Sequence, residues 1–99
     1  GSFAARSIAC VRACASAGGL WCAFPANPAP AALRPSASSS ACFAGFGSGT
    51  WASLAFTIGS AVPAIVYLPA DVPAPAGWDL VALSDGWHLF QPPIQHSFI

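Results

Sequence analysis

The chain has no lysine, no glutamate and no methionine, and its formal charge is confined to three arginines and three aspartates that cancel. Each absence excludes something. A neutral chain has no surplus of cations to neutralise phosphates, so nucleic acid is not an expected partner. It also lacks the polybasic element that would hold it electrostatically to anionic lipid. With no glutamate and with Asp71, Asp79 and Asp85 scattered, the paired carboxylates of glycoside hydrolysis are not provided for. The weakly charged stretch from Pro35 to Ala70 is broken by Gly45, Gly47, Gly49, Pro63 and Pro69. No transmembrane segment is therefore expected, since a spanning helix needs about 20 uninterrupted apolar residues. Asn27 is followed by Pro28 and so opens no N-glycosylation sequon.

What is present is apolar: 56% of the 99 residues are hydrophobic. Disordered chains show the reverse composition, so a folded domain is expected. The length fits one domain. Gly1-Ser2 reads as the remnant of a cleaved tag, leaving residues 3–99 as a single small secreted domain with a Pro/Ser-rich loop at 25–40.

Secretion is inferred from Cys10, Cys14, Cys22 and Cys42. Four cysteines in so short a chain, with no C-x-x-C spacing, read as two disulfides formed in an oxidising compartment. Cysteines four apart on a helix hold their Cβ atoms about 5–6 Å apart, whereas a disulfide requires about 3.8 Å. Cys10 is therefore not expected to bond to Cys14. Two pairings remain: Cys10–Cys22 with Cys14–Cys42, or Cys10–Cys42 with Cys14–Cys22.

Phe3 to Ala17 is alanine-rich and ends at Gly18-Gly19, which predicts a helix with Ser2 at its start and its cysteines facing the core. Leu20 to Phe24 reads as a short strand. Prolines 25, 28, 30 and 35 and the serines after them predict one long irregular connection. Cys42 to Phe46 reads as a short strand. From Thr50 to Ile58, Leu54, Phe56 and Ile58 alternate with Trp51, Ser53, Ala55 and Thr57, which predicts a strand with one buried face. Val62 to Leu68 reads as another, entered through Pro63. Asp85-Gly86 between two apolar runs predicts a two-residue β-hairpin turn. The expected architecture is α+β: one N-terminal helix stapled by two disulfides to an antiparallel β-meander of about five strands. An all-β sandwich or small barrel is the alternative.

The candidate chemistry is sparse. A nucleophilic triad would combine a histidine, an aspartate and one of many serines, but no nucleophile-elbow motif is present; a metal site of His88, His96 and Asp85 needs the tail folded back, so no catalytic residue, metal ligand or cofactor is assigned. The aromatic residues are more informative, because four tryptophans exceed what so small a core requires. Trp51, Trp78, Trp87 and Tyr67 are the candidate binding residues, as a platform that stacks on sugar rings or anchors a protein interface. The expected function is that of a secreted, non-enzymatic protein binding a protein, glycan or lipid through an apolar and aromatic surface. A secreted toxin, antimicrobial or effector-like factor acting on another organism's cells is the alternative. A small hydrolase using His88 is a second alternative. The neutral, apolar surface also predicts a homo-oligomer. Hydrophobins carry eight cysteines with adjacent pairs; this chain has four and none adjacent, and it resembles no particular family.

Overall fold

The structure, a computed structural model, describes residues 3–93. Its elements run α1 (Phe3–Ala17), β1 (Trp21–Ala23), α2 (Ser39–Cys42), α3 (Gly49–Gly59), β2 (Ala64–Tyr67), β3 (Val81–Ala82) and β4 (Trp87–Phe90). The chain is α+β, with one N-terminal helix as its sequence indicates. Helix α1 ends as its glycines dictate: Gly18 takes φ +67°, and the Gly19 amide donates to the Cys14 carbonyl at 2.9 Å. This is the Schellman arrangement. The expected Ser2 cap lies outside the described residues.

The expected antiparallel meander of about five strands is not what forms. The sheet has four strands in the order β1-β2-β4-β3 and is mixed: β1 lies parallel to β2, and the other neighbours are antiparallel. The missing strand is Thr50 to Ile58, which lies within helix α3. Every residue from Trp51 to Ile58 is buried. The polar residues Ser53 and Thr57 do stand at helical spacing but are buried with the rest, so the polar face is too narrow to outweigh the alternation of Leu54, Phe56 and Ile58 with their neighbours. Local chemistry favours the helix, because the Ser48 hydroxyl caps it by accepting from the Trp51 amide at 3.2 Å. Cys42, expected on a strand, closes the short helix α2, which Ser38 caps through the Ala41 amide.

The disulfide framework is likewise overturned. All four cysteines are free. On α1 it is Ser7 and Val11 that turn inward, while Cys10 is exposed and Cys14 partly so. Cys22 is exposed on β1, and Cys42 is buried with its thiol 3.4 Å from the Ser36 carbonyl. No two of the four stand at disulfide distance. The unpaired thiols also remove the physical ground for inferring an oxidising compartment.

Packing does the work instead. Helix α3 is the hub, in contact with α1, α2, β1 and β2. Around it the core gathers Val11, Leu33, Leu54, Phe56, Val66 and Phe90, with Trp51 and Trp78 meeting edge to face at 5.2 Å. The long proline-rich connection is part of this core. Leu33 is 1% exposed, and the Ser36 amide donates to the Ala55 carbonyl at 3.2 Å. Ser36 crosses α3 at Gly59, where an added Cβ would lie 2.0 Å from the Ser36 carbonyl carbon. The glycine is what lets the two backbones touch.

Candidate functional site

Side chains along a strand alternate between the two faces of its sheet. The pairing registers therefore sort these strands. Ala23, Ala64, Val66 and Phe90 face α3 and belong to the core. Their neighbours in the same registers, Cys22, Ile65, Tyr67, Trp87, Leu89 and Val81, stand on the opposite face. Leu83, whose amide donates to the Trp87 carbonyl at 2.8 Å, continues that row beyond β3. No charged residue is among them. Among the described residues the helices α1 and α2 pack toward α3. On this second face of the sheet Cys22, Val81 and Leu83 are exposed, and Ile65, Tyr67, Trp87 and Leu89 are half-buried. Val81 is 62% exposed and Leu83 54% exposed.

Trp87 is the centre of the face. Its ring meets Tyr67 at 5.2 Å and Phe24 at 5.9 Å, both edge to face, so three aromatics from β4, β2 and the end of β1 hold one another in place. The β3–β4 hairpin presents it. Asp85 and Gly86 take φ +55° and +87°, the pairing that a two-residue type I′ turn requires. The Leu68 amide then donates to the Gly86 carbonyl at 2.8 Å and ties the turn to the end of β2.

The four aromatic residues singled out in the sequence thus divide. Tyr67 and Trp87 lie together on the open face, while Trp51 and Trp78 are each 1% exposed and fill the core. Phe24, Ile65, Val81, Leu83 and Leu89 are additions that the sequence reading missed. A signal for them existed in the alternation of Ala64, Ile65, Val66 and Tyr67. Four apolar residues in a row mean that both faces of a strand are apolar, whether or not both are covered.

His88 belongs to the α3-facing side of β4, and its Nδ1 lies 3.0 Å from the Gly86 carbonyl. His96 lies outside the described residues. Among the described residues, no three of histidine, cysteine, aspartate and glutamate cluster as a metal site would need. No helix among them is long and apolar enough to cross a membrane.

The charges are segregated. Arg6 and Arg12 belong to α1, with the Arg12 guanidinium 5.9 Å from the centre of the Phe56 ring. Arg34 lies in the proline-rich connection, held by the carbonyls of Ala31 and Leu33. All three aspartates come after β2, and Asp79 and Asp85 stand exposed on either side of β3. Comparison with protein-family models, with characterised proteins and with solved structures gives no match to this chain.

Proposed function

We propose that the protein is a non-enzymatic binding module whose working surface is the open face of its sheet, and that the partner is another protein. The uncharged row from Cys22 through Ile65, Tyr67, Trp87 and Leu89 to Val81 carries this reading. Contiguous apolar surface of this kind is characteristic of an interaction site, and rigid aromatic anchors near its centre match the composition of interface hot spots. The surroundings favour protein over the other partner classes. A sugar site surrounds its aromatic platform with polar groups, and here Tyr67 supplies the one hydroxyl of the row. A lipid surface calls for cations at the rim, and the three arginines lie on α1 and the connection packed against α3.

The test is a fold-preserving pair of substitutions at the centre, Ile65→Thr with Leu89→Thr, read with an environment-sensitive apolar dye. The native protein is expected to bind the dye, with nuclear magnetic resonance shifts confined to β1, β2 and β4. The double variant is expected to lose at least tenfold in dye affinity while keeping its near-ultraviolet circular dichroism. Unchanged dye binding by a folded variant would sink the reading.

A further inference from the structure

Two serines enclosed by the fold carry hydroxyls that bond to nothing in the protein. Ser7 on α1 is 9% exposed and Ser53 on α3 is 6% exposed. Among the described residues neither hydroxyl has a hydrogen-bond partner. A hydroxyl on a helix can bond back to the carbonyl one turn before it. Thr57, one turn beyond Ser53, does so, donating to the Ser53 carbonyl at 2.8 Å. Buried polar groups are ordinarily satisfied in this way or another. No side-chain oxygen among the described residues is both sealed and unpartnered, so the slight exposure that Ser7 and Ser53 keep includes their hydroxyls. Both residues line a cleft of about 350 Å³ between α1, α3 and the free edge of β1.

The edge adds a donor and an acceptor. The Trp21 amide donates to the Pro63 carbonyl at 2.9 Å, and Trp21 and Ala23 pair with Ala64 and Val66. These two residues turn their backbone groups toward β2, so Cys22 between them turns its N–H and C=O outward. Strand β1 is the end of the sheet, and Cys22 lines the cleft. The walls are aromatic: Trp21 is half-buried, while Phe3 and Phe24 are exposed. The Phe3 ring lies over Gly49 at the start of α3, in the space that a Cβ there would need. No acidic or basic residue lines the cleft.

These features select a ligand. Uncharged walls offer an ion no partner, and an unpaired ion is costly to enclose. An alkyl chain would leave both hydroxyls and the Cys22 groups unsatisfied, the mismatch that a hydrogen-bonding site rejects most strongly. A peptide strand would meet only one outward-facing residue on the three-residue β1. A compact neutral ring with hydroxyls at its rim and C–H groups on its faces meets every requirement. We propose that the cleft binds one pyranose sugar unit. Adjacent ring hydroxyls, each both donor and acceptor, accept from the Cys22 N–H and donate to its C=O, and others bond to Ser7 and Ser53. A C–H face of the ring lies against an aromatic wall. The volume is at the small end of ligand pockets and suits one ring. This site does not depend on the open-face reading, and the two surfaces meet at Phe24, whose ring also touches Trp87.

The probes are the methyl glycosides of glucose, galactose and mannose, with cyclohexanol as a ring of similar size and one hydroxyl. In a nuclear magnetic resonance titration, at least one glycoside is expected to bind at millimolar concentration with shifts at Ser7, Cys22 and Ser53. It should bind at least tenfold more tightly than cyclohexanol. Ser7→Ala with Ser53→Ala is expected to weaken it at least tenfold and to leave near-ultraviolet circular dichroism unchanged, since neither hydroxyl bonds within the fold. A linear trisaccharide of the same sugar separates the sources: tighter binding than the methyl glycoside assigns the end of a glycan, equal or weaker binding a free sugar. No shift at these residues with any of the glycosides overturns the proposal. So does cyclohexanol binding as tightly as the glycosides, a comparison made on the native chain that decides the matter even if the double variant does not fold. Undiminished glycoside binding by a folded double variant overturns it too. The Ile65→Thr, Leu89→Thr variant should bind the glycoside as the native protein does, so failure of the sugar site and failure of the open-face reading are seen separately.

Discussion

The indole Nε1 of Trp51 donates to the backbone carbonyl of Asn27 at 2.7 Å, joining the first turn of α3 to the start of the proline-rich connection. The same ring meets Trp78 edge to face. One side chain thus fastens the connection before α3 and the loop before β3 to the same helix. Trp51→Phe keeps an aromatic ring but removes the donor and part of the volume. The expected loss is about 2–3 kcal/mol, combining a hydrogen bond and a partial cavity. Chemical denaturation checks it, and unchanged stability would mean that the indole nitrogen does not tie the two segments.

Gly59 offers a sharper test of the crossing. Gly59→Ala puts a methyl group against the Ser36 backbone, which cannot swing aside as a side chain would. The expected cost is roughly 3 kcal/mol, the upper range for overpacking. Faster amide exchange at Ser36, whose donor bond to Ala55 must lengthen, is the accompanying sign.

Helix α3 ends on Ala61, which takes φ +59° while the Val62 amide donates to the Thr57 carbonyl at 3.1 Å. This is a Schellman end with alanine where glycine is ordinarily found. Ala61→Gly relieves the Cβ strain and is expected to stabilise the fold by about 1 kcal/mol. In a domain this size that raises Tm by roughly 4–8 °C. A lower Tm would show that the strain is absorbed elsewhere.

The thiols should separate by burial. Cys10 and Cys22 are exposed and should react quickly with a thiol reagent, whereas Cys42 should react only after unfolding. Four equivalents should titrate in denaturant without reductant. Burial pushes the Cys42 thiol above its ordinary range. Below about pH 8.5 both folded and unfolded states hold this proton; above it the unfolded chain releases the proton first. The contribution of Cys42 to stability is therefore full below that pH and lost as pH rises toward the folded value. Cys42→Ala should remove this part of the alkaline decline, at the expense of a small cavity.

Sequence and structure meet where a residue's own backbone preference decides the conformation. The glycine pair after Ala17 stops α1, and the Asp85-Gly86 turn adopts two positive φ angles that few other pairs tolerate. They part where tertiary surroundings decide. The stretch Trp51 to Ile58 is helical because it is enclosed, and enclosure leaves no trace in a one-dimensional pattern; Ser48 as a cap was the readable clue. The cysteines misled for a related reason. Their count suggests bridges, but pairing depends on which faces they occupy, and Ser7 and Val11 take the inward positions on α1. Of the aromatic candidates, Trp87 and Tyr67 share a face only because β4 inserts between β2 and β3, a neighbour relation that strand order alone reveals.

The single parallel pair, β1 with β2, joins segments separated by the whole proline-rich connection and both later helices. Closing so long a loop costs chain entropy before any ladder contact returns it. The β3–β4 hairpin closes over two residues and carries no such delay. On loop length alone, the hairpin and α3 are expected to form early and β1 to dock late. Until it does, the sheet's second edge is β2 rather than β1, and of the two edge strands only β3 is flanked by charge, from Asp79 and Asp85.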